Sequence, residues 1–198
     1  SHWMPFTNVI DGVIYKGRCR AESNDGNSSW NYPHLYLIPS GPPDTPTGII
    51  ANARKNKIVV TSIGKPEQNN GAPILKYECK AISILSGTVV VTNQQNAKSD
   101  ETLSGNLLLS GLDNGKSYNV TCAAINNAGS GKDILATIPY TPYGIPDIPV
   151  NIKLVRGVSE ELIGTFSPPA DTGGKNIFNY TCKLYNPINS FEVLKTVS

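Results

Sequence analysis

Shifted along itself by 103 positions without a gap, the chain places Tyr15, Cys19, Ala21, Asn24 and Gly26 on Tyr118, Cys122, Ala124, Asn127 and Gly129. The same shift carries Pro43-Asp44-x-Pro46 onto Pro146-Asp147-x-Pro149, and Gly71, Ile74, Tyr77 and Cys79 onto Gly174, Ile177, Tyr180 and Cys182. One offset that holds from end to end means a tandem repeat, so each unit must be a small domain that stacks on its neighbours. Between the proline-rich joints, Gly41 to Pro46 and Gly144 to Pro149, lies one whole unit. The tail of one unit precedes it and the head of another follows.

Short runs rich in Val, Ile, Thr and Tyr, punctuated by 18 Gly and 15 Pro with a single Met, predict an all-β unit. Strand-length segments are Ile49 to Ala53, Lys57 to Ile63, Ile74 to Ala81, Thr88 to Thr92, Leu107 to Leu109, Tyr118 to Ala124 and Asp133 to Ile138. Asn93 to Glu101 reads as a polar stretch between strands. Seven strands in one repeat is the count of a two-sheet antiparallel sandwich. The longest apolar runs, Val89 to Val91 and Leu107 to Leu109, fall far short of the roughly 20 residues a spanning helix needs, which speaks against membrane insertion. With 17 basic and 15 acidic residues and no basic run beyond Arg18-x-Arg20 or Arg54-Lys55-x-Lys57, nucleic acid is not expected as a partner either.

Leu112-x-x-Gly115-x-x-Tyr118 carries the topology, because a Tyr opening a late strand buries its ring and hydrogen-bonds its hydroxyl back to the preceding loop. Together with Pro43-x-x-Pro46, Gly71-x-Pro73-Ile74-x-x-Tyr77 and Tyr118-x-Val120-x-Cys122-x-Ala124, this tyrosine corner resembles a fibronectin type III domain. The resemblance implies an immunoglobulin-like, seven-stranded antiparallel β-sandwich and covers the whole chain. Residues 1–42 match the end of strand E with F and G, 43–143 a complete repeat, and 144–198 strands A to C. Val9-x-x-Gly12-x-x-Tyr15 repeats the corner in the first segment. One departure is that Ile63 and Phe166 stand where the family usually places Trp late in strand B.

In the resembled fold, strands C and F are neighbours, which brings Cys79 and Cys182 on C into line with Cys122 and Cys19 on F. Two readings stand for Cys79 and Cys122: a disulfide, or two buried thiols acting as small apolar groups. A zinc site is disfavoured, because no Cys-x-x-Cys occurs and His2 and His34 lie away from the cysteine positions. Asn27, Asn119 and Asn179 each open an Asn-x-Ser/Thr triplet and are candidate N-glycan sites, at a frequency that chance alone supplies. Gly129-Ser130-Gly131-Lys132 reads as the F–G turn and not as a phosphate loop, since no helix follows.

Nothing here converges on catalysis: the paired acids Asp100-Glu101 and Glu160-Glu161 read as solvated faces, and no cofactor is expected. The resemblance implies a non-enzymatic extracellular or cell-surface module, in which prolines stiffen the joints of an array. Its expected partners are proteins, either other copies of itself or a longer array. The incomplete ends add a further expectation, that residues 1–42 of one chain complete 144–198 of the next and propagate a filament, with Cys19 facing Cys182. The alternative function is that of a ligand-binding segment of a receptor ectodomain.

Overall fold

The computed structural model describes residues 4–32, 36–185 and 193–197. His2 and His34 lie outside the described residues. In the first segment β1 (Glu22–Ser23) and β2 (Gly26–Asn27) form a hairpin, which bridges from Cys19 to Asn31 and from Tyr15 to Leu37 extend. The central segment holds β3 (Gly48–Arg54), β4 (Lys57–Gly64), β5 (Lys76–Ser83), β6 (Val89–Asn96), β7 (Leu107–Ser110), β8 (Tyr118–Asn126), β9 (Gly129–Ser130) and β10 (Ile134–Leu135). Last come β11 (Val150–Arg156), β12 (Leu162–Ser167), β13 (Cys182–Tyr185) and β14 (Val193–Val197).

Two antiparallel sheets build the central unit, one in the order β3-β4-β7 and one in the order β10-β8-β5-β6, with β9 also on β8. Side chains alternate across a strand, and the sequence alternates with them. Ile58 and Val60 of β4 and Leu107 and Leu109 of β7 face inward from one sheet. Tyr77, Cys79 and Ala81 of β5, with Tyr118, Val120, Cys122 and Ala124 of β8, meet them from the other. Each fully buried Val, Leu or Ile side chain contributes about 1.5–3 kcal/mol, so this face fixes the register of both sheets.

The flanking segments carry the same pattern in two-stranded sheets, with more of it exposed. β11 pairs only with β12, and β13 only with β14. Ile163, one period beyond Val60, is 44% exposed where Val60 is fully buried. Phe166 replaces Ile63 and packs its ring against Tyr180 at 4.8 Å.

Three details differ from the sequence reading. β6 continues through Asn93 to Asn96, because Lys76 to Ala81 of β5 supply backbone partners for polar residues as readily as for apolar ones. The final strand is regular only at Ile134–Leu135, after which one bond from Ala136 N to Val120 O and a reciprocal pair between Tyr140 and Tyr118 hold it to β8. Glu101 is not a solvated acid: it is buried, at 8% exposure.

Candidate functional site

Tyr118 opens β8 with its ring buried, and its hydroxyl accepts a bond from Asp113 N at 3.0 Å. Leu112 seals the loop beneath it, and Gly115, at φ 79°, makes a turn that a side chain would strain. Ile10 N donates to the Tyr15 hydroxyl at 2.9 Å, the same bond one period earlier. In the sheet of β8 and β5, β6 lies on the outer side of β5 and not beside β3, an arrangement that separates type III sandwiches from the four-plus-three immunoglobulin constant type. The central unit has the fibronectin type III fold.

On neighbouring strands of one sheet, Cys79 and Cys122 stand directly opposite in the β5–β8 register, with Cα atoms 4.1 Å apart and their sulfurs joined. Cys19 and Cys182, at the equivalent positions of the flanking segments, are unpaired and exposed.

The joints are built alike. At the first, Gly12 N donates to Pro39 O at 2.8 Å, Gly41 N to Asn70 O at 2.9 Å and Asp44 N to Gln68 O at 3.0 Å. One period on, Gly115 N donates to Pro142 O at 2.8 Å, Gly144 N to Gly173 O at 2.9 Å and Asp147 N to Asp171 O at 2.9 Å. In both, a loop glycine of one unit lies against a loop glycine of the next. A Cβ on Gly71 would stand 2.8 Å from Gly12 N, and one on Gly174 would stand 2.9 Å from Asn114 C and meet Gly115 N. Side chains add to the second joint, where Asn114 Nδ2 donates to Asp171 Oδ2 at 2.7 Å and Lys55 pairs with Asp147 at 2.6 Å. The Gly173 amide and Asn114 together hold the Asp171 carboxyl below its ordinary range, against a smaller opposing effect of burial.

Two buried polar residues brace the pole nearest the first joint, and the sequence reading missed both. Asn126 Nδ2 donates to Gly41 O at 2.8 Å and Asn69 O at 2.9 Å, and its Oδ1 accepts from Ala128 N and Gly129 N. It thereby ties the F–G turn, the loop before β5 and the linker together. Glu101 accepts from Asn69 Nδ2 at 2.8 Å and Ile74 N at 3.2 Å, and Lys65 Nζ lies 2.6 Å from its other oxygen. Burial alone would raise its pKa, but Lys65 and these donors outweigh it and hold the carboxyl below its ordinary value. The Tyr77 hydroxyl donates to Glu101 O at 2.8 Å, and burial, with the charges of Glu101 and Asp100, pushes its pKa up to about 12.

Of the Asn-x-Ser/Thr positions, Asn27 and Asn179 are exposed and Asn119 is half-buried on the outer face of β8. Gly129 and Ser130 form β9, paired back onto β8 in a tight hairpin. Among the described residues, no group of His, Cys, Asp and Glu is placed to hold a metal ion.

No family model matches the chain. Protein sidekick of Drosophila melanogaster is 27% identical over 174 residues, which cover 84% of this chain and 8% of that protein. The chain therefore spans under a tenth of the relative's length. Among solved structures, domains d3-d4 of the rat CD45 extracellular region align with a TM-score of 0.47 at 17% identity, over 71% of this chain and 70% of that one. The FN5 domain of Drosophila Lar aligns with a TM-score of 0.37 at 21% identity, over 52% of this chain and 99% of that one.

Proposed function

We propose that the chain is a non-enzymatic extracellular segment of a tandem type III array, divided at residues 42/43 and 143/144, that holds successive units at a fixed angle for adhesion or spacing. The observation that carries this is the recurrence at both joints of the same three backbone bonds and the same glycine-on-glycine contact. Prolines limit the freedom of the linker, and the bonded loops remove most of what is left. A buried disulfide suits an oxidising compartment. Small-angle scattering from the full chain tests the reading. A narrow distribution of end-to-end distances is expected, and Gly174→Val should broaden it, because φ there is 82° and a Cβ meets the Gly115 backbone. A wild-type distribution as broad as the variant's overturns it.

Completion between chains is a second reading, favoured by the edge of β13 away from β14, which pairs with no strand among the described residues. Tyr180 and Cys182 there correspond to Tyr77 and Cys79, which in the central unit pair with Ala124 and Cys122 of β8. In this reading residues 1–42 of a second copy would take that edge, with Cys19 opposite Cys182. A longer polypeptide supplies the same partners from its own sequence. Concentration-dependent, reduction-sensitive oligomers on size exclusion support the intermolecular form, and a monomer in both redox states refutes it.

A further inference from the structure

The outer face of the first segment differs from that of the unit after it. Lys16, Arg18 and Arg20 alternate with Tyr15 and Cys19 along the stretch held by the two isolated bridges, so their side chains share the opposite face. On the returning stretch, aromatic rings receive them. The Arg18 guanidinium lies 4.4 Å from the centre of Trp30 and 5.8 Å from that of Tyr32, and its Nη1 donates to the Tyr32 hydroxyl at 3.0 Å. Arg20 lies 4.8 Å from Trp30, and Lys16 lies 5.8 Å from Tyr32 and 5.7 Å from Tyr36. Trp30 is 39% exposed and Tyr32 49%, so the ladder stands in solvent.

One period later the face is neutralised. Asp133 stands where Trp30 does and Thr121 where Arg18 does, and Lys80 pairs with Asp133 at 3.1 Å and with Glu78 at 3.7 Å. Among the described residues the acid paired with the ladder is Glu22, 2.7 Å from Arg20 and well exposed, a surface pair that a competing anion displaces at little cost.

We propose that this ladder is a binding surface for a linear sulfated polysaccharide. The aromatic faces are taken up by the cations, so what remains for a partner is a row of positive charge. Stacking fixes the long side chains in advance, which lowers the ordering cost that usually weakens Arg and Lys contacts. Cations two residues apart on an extended strand recur at about 6.8 Å, a spacing that suits a polymer with repeated anionic groups. Planar guanidinium groups take oxyanions through paired hydrogen bonds. The inference rests on the extracellular reading and not on the stiffness of the joints.

The test is binding of the full chain to heparin at about 50 mM NaCl, with fully desulfated heparin, poly-glutamate and phosphatidylserine vesicles as comparison probes. Heparin should bind the tightest, with a log affinity against log salt slope of about −2 to −3 for three cations. R18Q/R20Q should weaken binding at least about tenfold. K16Q, which leaves both arginines stacked on Trp30, should weaken it by a smaller factor, and K80Q on the central unit should leave it unchanged. Absence of heparin binding overturns the proposal, as does equal affinity for the desulfated polymer, poly-glutamate or the vesicles, or unchanged affinity in both R18Q/R20Q and K16Q. A narrow scattering profile with no heparin binding removes this inference and leaves the array reading intact.

Discussion

Glu101 illustrates how a single residue is set by neighbours distant in sequence. Its partners Lys65, Asn69 and Ile74 lie 27 to 36 positions earlier, so the local pattern, an acid next to Asp100 in a polar stretch, reads as surface. Asn126 was hidden for the same reason, since its acceptors sit in the linker and in the loop before β5. Tyr118 was legible because the corner bond closes over only five residues. The depressed pKa of Glu101 gives a pH prediction with a definite sign. A carboxyl held below its ordinary 4.5 adds stability that is present above that pH and lost as the pH falls through the folded-state value. The gap in urea stability between wild type and Glu101→Gln should therefore be widest near neutrality and close on acidification below 4.5. A gap that stays constant through that range would show that the carboxylate charge is irrelevant.

At the scale of elements, β4, β5, β7 and β8 were readable from period-two alternation, because each is half-buried and its apolar side chains mark the core face. The polar half of β6 and the broken course of β10 carry no such mark, since their backbone pairing does not depend on which side chains they bear. Sequence left Cys79 and Cys122 with two fates, because pairing needs the strands in one register, and the β5–β8 ladder puts them face to face. Their bridge spans a sequence separation of 43, and on chain-entropy grounds closing such a loop contributes about 4 kcal/mol. Cys79→Ala/Cys122→Ala should thus lower the stability of the central unit by about 2–5 kcal/mol in urea unfolding, while the amides of β5 and β8 keep their relative order of protection. A loss under about 1 kcal/mol would mean the reduced chain is already restrained without the bridge.

For the whole molecule, the repeat means that what holds one joint holds the next. At the joints the amides of Gly41 and Gly144 are bonded to Asn70 and Gly173, and those of Gly12 and Gly115 to Pro39 and Pro142. All four should exchange slowly with solvent, and Gly174→Val should expose Gly144 and Gly115 while leaving Gly41 and Gly12 protected. Exchange of all four at the rate of a free loop would mean the joints open readily. The sequence alone determined the period, the all-β character, the tyrosine corners and the two proline joints, because each is written in residues close together or at a constant offset. Only the tertiary structure decided that Gly12 meets Gly71 and Gly115 meets Gly174, that Glu101 is buried, and that three cations of the first segment stack on aromatic rings. Those contacts join residues whose separation follows no period, and packing in three dimensions selects them.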